Sequence, residues 1–322
     1  MPRGRSLRKD ERGIALVMVI WVLALLSLMA ASLLAEARVE LRRAVNLRER
    51  AVAEALAEAG IHIAIARLLG ERGGLYPQRW SETLASGSVT LTLMDERGKI
   101  DLNEAEPALL AGLFESKGLP SRATKALAAA IVDFRDPDRT PAIDGAEDPD
   151  YPPGSGGAKD SRFETIDELL QVKGMTPVLY AEIMPLVTVD SFLPGIDPLL
   201  AEIEVLEAVP NIDRAELERF LTLRRKLAPI LNVPAVPENA GGNSANRRRA
   251  NAYSQLQSAV PRRNSVERYF LFEGVTQTAF GISAEAVTLA GARYRRDTVV
   301  RVTEDESAPF EILEWRRPQS AN

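Results

Sequence analysis

The amino-acid sequence predicts an α+β protein in which a long N-terminal helix packs on an antiparallel sheet and a large all-helical insert separates the early strands from the late ones. Three observations support this prediction. A long stretch near the N-terminus lacks proline and glycine, two separate regions have strand-like composition, and the residues between them form short apolar segments divided by glycine or proline. With 322 residues, 46% of them hydrophobic, the chain can bury a sizeable core.

The first element is the helix. The stretch 14–59 contains neither proline nor glycine and is rich in Ala, Leu, Glu and Arg, which predicts one unbroken helix. Its residues 14–35 carry no charge, and at about 1.5 Å per residue they span the ~30 Å hydrocarbon core of a bilayer. We therefore predict a transmembrane segment at 14–35. Basic residues predominate before it, which places the N-terminus in the cytoplasm.

Two other interpretations of this apolar segment remain open. A cleavable secretory signal has a shorter apolar region of roughly 7 to 15 residues, although Ala30, Ala31 and Ser32 resemble the small residues of a signal cleavage site. A plain single-pass binding protein, whose leader is never cut, would carry the same anchor.

The strands come next. Val89, Leu91 and Leu93 alternate with Ser and Thr, which is the period of a half-buried strand, so residues 36–103 are predicted to continue the helix into the first strands. Residues 266–322 contain several segments rich in β-branched and aromatic residues joined by short turns, which indicates further antiparallel strands.

The insert, 104–231, is predicted to be helical. A weak internal repeat relates the segment that starts at Gly98 to one about 96 residues later, and each copy has an apolar-Asp start followed by two short helices. We interpret the copies as duplicated helical hairpins. Residues 232–265 lose apolar periodicity and gain Asn, Ser, Pro and Gly, so we predict a flexible loop there.

The composition excludes several kinds of site. There is no cysteine, so disulfides and thiolate chemistry are excluded, and a single histidine rules out an imidazole metal cluster. No catalytic triad, phosphate-binding glycine loop or zinc spacing is present, so we do not expect an enzyme. The hairpin TIDELLQVKGMTPVLYAEI has the shape used on DNA backbones, but Lys173 is its only base beside three carboxylates. A membrane-tethered DNA receptor is kept as the alternative function.

The most unusual segment is an acidic loop that spans residues 136–150. It contains six carboxylates and one base, Arg139. Such a loop is either a solvated acidic surface or a site for a hard cation such as Ca²⁺, which prefers six to eight oxygen ligands. It is not an EF-hand, because Pro141 stands where that loop needs glycine and no Glu is twelfth. The carboxylates are Asp136, Asp138, Asp144, Glu147, Asp148 and Asp150.

Taken together, these segments resemble the type II secretion system minor pseudopilin K family, also called general secretion pathway protein K. The resemblance is carried by the basic leader ending in Gly13, the IALVMVIWVLALLSL helix, DLNEA after a strand, GAED in the acidic loop and the ELLQVKGMTPVLY hairpin. It implies a pilin-like domain with a SAM-like helical insert. It also implies that residues 1–13 are a prepilin leader, which prepilin peptidase cuts after Gly13 before methylating the amine of Ile14.

The fifth position of the mature chain would be Met18, where pilin-like proteins usually carry Glu. A carboxylate there needs a cationic partner on a neighbouring subunit, so its absence suits a subunit with none above it. The family resemblance accordingly implies a subunit at the tip of the pseudopilus. Such a subunit would prime assembly and help drive folded exoproteins from the periplasm through the outer membrane.

The resemblance further implies a structural calcium ion in the insert. Its expected ligands are Asp136, Asp138, Glu147, Asp148 and Asp150, with Asp133 and Asp160 in reserve. The expected partners are the minor pseudopilins I and J, the other pseudopilins, the inner-membrane platform and prepilin peptidase, and nucleic acid is not expected. The expected location is the Gram-negative inner membrane, with the C-terminal domain in the periplasm.

Overall fold

The computed structural model describes residues 11–70, 78–154, 156–231, 243–271, 278–303, 305 and 307–316. The α-helices in these residues are α1 Glu11–Gly70, α2 Pro107–Ser116, α3 Ser121–Arg135, α4 Pro177–Ile183, α5 Ile203–Glu207, α6 Arg214–Leu231 and α7 Asn243–Ala259. The strands are β1 Gln78–Leu84, β2 Gly87–Asp95, β3 Ile100–Asp101, β4 Val187–Thr188, β5 Thr278–Thr288, β6 Arg293–Val302 and β7 Phe310–Arg316.

Helix α1 has 60 residues and is about 90 Å long. It continues past the predicted end at Ala59 and includes Gly60. Strand β2 packs so closely on the helix at Gly60 that a Cβ there would lie 2.7 Å from Cγ2 of Val89. Apolar side chains of its N-terminal half are exposed, whereas its C-terminal half buries one face against the sheet. The buried face comprises Ala53, Leu56, Ala57, Ile61, Ala64, Ile65 and Leu68.

The main sheet has the order β1-β2-β5-β6-β7, and every neighbouring pair is antiparallel. Val89, Leu91 and Leu93 face α1 and are buried, as their alternation predicted. Strand β1 was not predicted, because QRWSETL has no regular apolar alternation. Arg296 of β6 ties the sheet to α1 by pairing with Glu54 and, at 3.4 Å, with Glu58.

Helices α2 to α7 surround a second core that runs from Ile100 to Phe270. The predicted flexible loop at 232–265 is wrong for 243–265, and residues 232–242 lie outside the described part of the chain. Helix α7 packs on α6 and buries Ala252 and Leu256, which are four residues apart and so lie on one helix face. The sequence signal was weak because the rest of α7 is polar.

The predicted C-terminal strand region, 266–322, also begins too early. Val266, Tyr269 and Phe270 belong to the helical core, and the described strands start at Thr278. The helical body therefore extends well past the predicted boundary at residue 231. Residues 272–277 and 317–322 lie outside the described part of the chain.

The helical body repeats one supporting contact, in agreement with the 96-residue repeat in the sequence. Arg135, at the end of α3, donates to the backbone carbonyls of Leu102 and Ala105. Arg224 of α6 donates to the carbonyls of Pro198 and Ala201, which occupy the corresponding positions 96 residues later. Each hairpin thus uses a half-buried guanidinium to hold the chain that enters it.

The start of the helical body is held in place by Asp101, whose side chain is buried. Its carboxylate accepts hydrogen bonds from the backbone N–H of Asn103 at 2.8 Å, the Ser191 hydroxyl at 3.0 Å and the backbone N–H of Phe192 at 2.8 Å. One side chain therefore fixes the entry to the insert against the segment after β4.

Replacing Asp101 by alanine should destabilise the chain by about 3 kcal/mol, because it leaves buried donors without acceptors. That loss corresponds to a fall of roughly 6–12 °C in Tm, measured by thermal melting of the full chain in detergent. The matched control is Asp305→Ala, since Asp305 also accepts from a backbone N–H and a hydroxyl, both of Ser307, but at an exposed site. Equal shifts for the two variants would contradict the role given to burial.

Candidate functional site

The acidic loop that follows α3 is organised by Asp133. This buried carboxylate accepts the backbone N–H groups of Ala142 at 3.1 Å and Ala146 at 2.7 Å, which curls the loop around it. Gly145 lies so close that a Cβ would come within 1.9 Å of Oδ2 of Asp133. Asp133 was predicted as a reserve metal ligand. Its carboxylate oxygens instead accept backbone hydrogen bonds that shape the loop.

Three of the predicted ligands come together beside this loop. Carboxylate oxygens of Asp136, Asp138 and Glu147 all lie within 4.8 Å of one another. Glu147 is buried, Asp136 is half-buried and Asp138 is exposed, so the cluster opens to solvent on one side. The arrangement offers an ion a ready path of entry and a set of oxygen ligands.

Several oxygens of the cluster have no hydrogen-bond partner within the described part of the chain. Both carboxylate oxygens of Glu147, Oδ1 of Asp136 and Oδ1 of Asp160 are buried in this state. Buried polar atoms are normally paired, so these unpaired carboxylate oxygens mark a place where a cation could be bound. The donors are all carboxylate oxygens, and this chemistry fits a hard ion such as Ca²⁺.

The electrostatics of the loop agree with this interpretation. Burial raises the pKa of Glu147, and the charges of Asp133, Asp160, Asp136 and Asp138 raise it further. Burial, Asp138 and Asp133 likewise raise the pKa of Asp136. Like charges held this close repel one another, and a divalent cation would relieve both the repulsion and the desolvation.

The other predicted ligands are engaged elsewhere in the described structure. Asp148 accepts the backbone N–H of Ala158 at 3.1 Å. Asp150 accepts the backbone N–H of Glu147 at 3.2 Å and pairs with Lys173 at 3.3 Å, and these contacts lower its pKa. Both carboxylates stabilise the turn after Glu147. Asp160, held in reserve, is better placed, since one of its oxygens pairs with Arg139 while the other is free of partners.

The hairpin considered for DNA binding is formed by a 3-10 helix at Ile166–Gln171 and by α4. Lys173, its single base, is paired with Asp150. The Tyr180 hydroxyl donates to Asp167. The hairpin therefore lacks the unpaired cations that a phosphate backbone requires.

The other predicted functional element is the N-terminal part of α1. Of the described helices, α1 is long and apolar enough to cross a membrane by length and composition. Its large apolar side chains from Leu16 to Leu47 are exposed, and Met18 has 65% of its surface accessible. Gly13 and Ile14 lie within helix α1, whose described part begins at Glu11.

Comparisons with known proteins agree with the predicted resemblance. Residues 90–191 match the family model "Type II secretion system (T2SS), protein K", and these residues contain most of β2, the acidic loop and the first half of the helical body. No curated protein sequence matches the chain. The resemblance stated from the sequence is thus confirmed over the matched segment.

A solved structure shares the fold. A chain of the GspK-GspI-GspJ complex from the type II secretion system of enterotoxigenic Escherichia coli is 18% identical, with a TM-score of 0.52. The match covers 88% of the present chain and 100% of the solved one. The predicted α+β fold, with its long N-terminal helix, antiparallel sheet and helical insert, is confirmed.

Proposed function

We propose that this chain is a K-type minor pseudopilin of a type II secretion system. The observation that supports the proposal most directly is the protein K family match over residues 90–191, which includes the acidic loop with its convergent carboxylates. No catalytic role is proposed. The chain acts by assembly, through the exposed apolar surface of α1 and the surfaces of its two packed bodies.

In this function α1 anchors the chain in the bacterial inner membrane with the N-terminus in the cytoplasm and the rest in the periplasm. The basic residues of the leader support that orientation, because positive charge is retained on the cytoplasmic side. Prepilin peptidase would cut after Gly13 and methylate Ile14. The same exposed apolar surface would then pack against equivalent helices in a filament without refolding.

The proposed partners are the minor pseudopilins I and J, since the solved chain of similar fold comes from a GspK-GspI-GspJ complex. We place the chain at the tip of the pseudopilus, where it primes assembly and helps move folded proteins out of the periplasm. The wide helical body beside the sheet and the uncharged Met18 both suit a subunit with no neighbour above it.

The acidic loop is proposed to hold calcium as a structural ion. Asp136, Asp138 and Glu147 would supply its oxygens, with Asp160 at the edge of the site. The ion would neutralise the cluster and lock the loop between α3 and the 3-10 turn at Asp148–Asp150. Asp133 would hold the backbone of that loop in place.

The test of the proposed function is the intact mass of the full chain extracted from membranes, with and without co-expressed prepilin peptidase and the I and J subunits. We expect the peptidase to yield a chain that begins at Ile14 and carries one added methyl group. The processed chain should co-purify with I and J. An uncut chain in the presence of active peptidase would leave an ordinary membrane anchor and overturn the proposal.

A further inference from the structure

A second group of charged side chains lies where the sheet meets the helical body, away from the acidic loop. It comprises Glu96 and Lys99 after β2, Asp190 after β4, and Glu314 and Arg316 of β7. The side chain of Glu96 is fully buried and pairs with Lys99 at 2.7 Å. Glu314 and Arg316 pair at 2.6 Å. We call these five residues the junction cluster.

The junction cluster is short of positive charge. It contains three carboxylates and two cations, and the cations already pair with Glu96 and Glu314. Oδ2 of Asp190 is buried and has no hydrogen-bond partner among the described residues. Burial, with the charges of Glu96, Glu314 and Asp101, raises the pKa of Asp190 to about 6, although Arg316 opposes the rise. One proton on Asp190 therefore makes the cluster neutral.

Asp190 lies in a segment of the helical body that also contacts the sheet. The next two residues, Ser191 and Phe192, donate to Asp101 at the entry to the helical body. The Phe192 ring contacts two guanidinium groups, that of Arg301 from β6 at 5.1 Å and that of Arg162 from the helical body at 5.8 Å. Asp190 therefore directly precedes two residues whose contacts reach both bodies.

The space available at the junction is small. Gly281 of β5 faces Glu96, and a Cβ at that position would lie 2.5 Å from Oε1 of Glu96. The charged groups that act on Asp190 are Glu96, Glu314, Arg316 and Asp101. Beyond them, Lys99 neutralises Glu96, and the Tyr180 hydroxyl is occupied by Asp167. In the described structure none of these groups donates a hydrogen bond to Oδ2 of Asp190 or forms an ion pair with Asp190.

We infer that Asp190 is a proton-controlled latch between the sheet and the helical body. When Asp190 is protonated the junction is neutral and the two bodies are held together. When it is ionised, an uncompensated buried charge favours separation of the interface and entry of water. The inference concerns the joint between the two bodies and does not depend on the proposed secretion function.

The sign of the pH dependence follows from the raised pKa of Asp190. A carboxyl whose folded-state pKa lies above its unfolded value stabilises the folded state fully below the unfolded value of 3.8. That stabilisation is lost as the pH rises through about 6. The junction should accordingly be closed at pH 5 and loosened at pH 7.5.

The test measures the distance between the two bodies in the full chain, held in lipid nanodiscs at constant calcium concentration. The chain has no cysteine, so spin labels can be attached to cysteines introduced at the exposed residues Thr83 in β1 and Ala123 in α3. We expect a narrow distance distribution at pH 5 that broadens at pH 7.5. Asp190→Asn, which mimics the protonated side chain, should keep the narrow distribution at both values.

Two further variants sharpen the test. Asp305→Asn changes an exposed carboxyl whose pKa is lowered by hydrogen bonds to Ser307, so its pH response should equal that of the unmodified chain. Arg316→Met removes the cation that opposes the rise in the pKa of Asp190 and should shift the midpoint of the broadening to higher pH. An unmodified chain whose distribution is the same at both values, or an Asp190→Asn chain that broadens like it, would overturn the inference.

Discussion

Replacing Gly13 by alanine should leave the chain at full length in the presence of active prepilin peptidase, and should abolish its assembly with the I and J subunits. Gly13 is the last residue of the proposed leader, and the proposed cut requires a residue without a side chain there. Intact mass and co-purification measure the two effects.

We expect the uncut Gly13→Ala chain to lose assembly because of the positive charges in its leader. An uncut chain keeps the leader's basic residues, Arg3, Arg5, Arg8, Lys9 and Arg12, directly before the apolar segment. Moving one such charge to the centre of a bilayer costs about 2.5–3.5 kcal/mol or more, so the leader holds the helix in the membrane and out of a filament core.

The matched control for this variant is Gly4→Ala, which changes the other glycine of the leader and should be processed normally. Normal processing of Gly13→Ala would place the cut elsewhere and remove the basis for Met18 as the fifth mature residue. A processed Gly13→Ala chain that still binds I and J would contradict both expectations at once.

Removing calcium should lower the stability of the full chain. A ligand that binds only the folded state stabilises it by about 2.7 kcal/mol when present at 100 times its Kd, which corresponds to roughly 5–10 °C in Tm. We therefore expect a lower Tm in chelator than in calcium, measured in detergent. Readdition of calcium should restore the Tm, and magnesium should do so less well because it demands a stricter geometry.

The variant Glu147→Gln distinguishes a calcium site from a solvated acidic surface. Glutamine keeps the shape of the side chain but removes a buried charge from the cluster. In chelator the variant should be at least as stable as the unmodified chain, because like-charge repulsion is relieved. In calcium the order should reverse, because a ligand has been lost.

Glu164→Gln is the control for this reversal, since the Glu164 side chain is 82% exposed and forms an ion pair with Lys159 away from the carboxylate cluster. It should leave the calcium-dependent gain in Tm unchanged. An unmodified chain with the same Tm in calcium and in chelator would rule out the structural ion and leave a solvated loop.

Much of the fold follows from local sequence patterns. The sequence predicted helix α1 from its uninterrupted helix formers and strand β2 from the alternation of Val89, Leu91 and Leu93. Both predictions were correct because each pattern lies within a single element. Strand β1 and helix α7 were missed. Their own apolar content is low, and they are held by the neighbouring β2 and α6, which the local pattern does not report.

The sequence predicted that the acidic loop could hold a metal ion, but it did not predict which of the carboxylates come together. The density of carboxylates between Asp136 and Asp150 pointed to a cation, yet spacing gave no reason to separate Glu147 from Asp148 and Asp150. The backbone turn after Glu147 makes that distinction, because it directs Asp148 and Asp150 into hydrogen bonds within the turn. The family resemblance supplied the calcium proposal, and the orphaned oxygens now support it physically.

The sequence by itself determined that this protein has an apolar helix able to cross a bilayer, an α+β body and an acidic loop, since each depends on composition over a short stretch. The tertiary structure alone decided which carboxylates converge and that the charges of Glu96 and Glu314 act on Asp190 at the junction. The physical reason is that charge interactions and desolvation depend on distances in space. Residues remote along the chain acquire those distances only when the sheet and the helical body pack together.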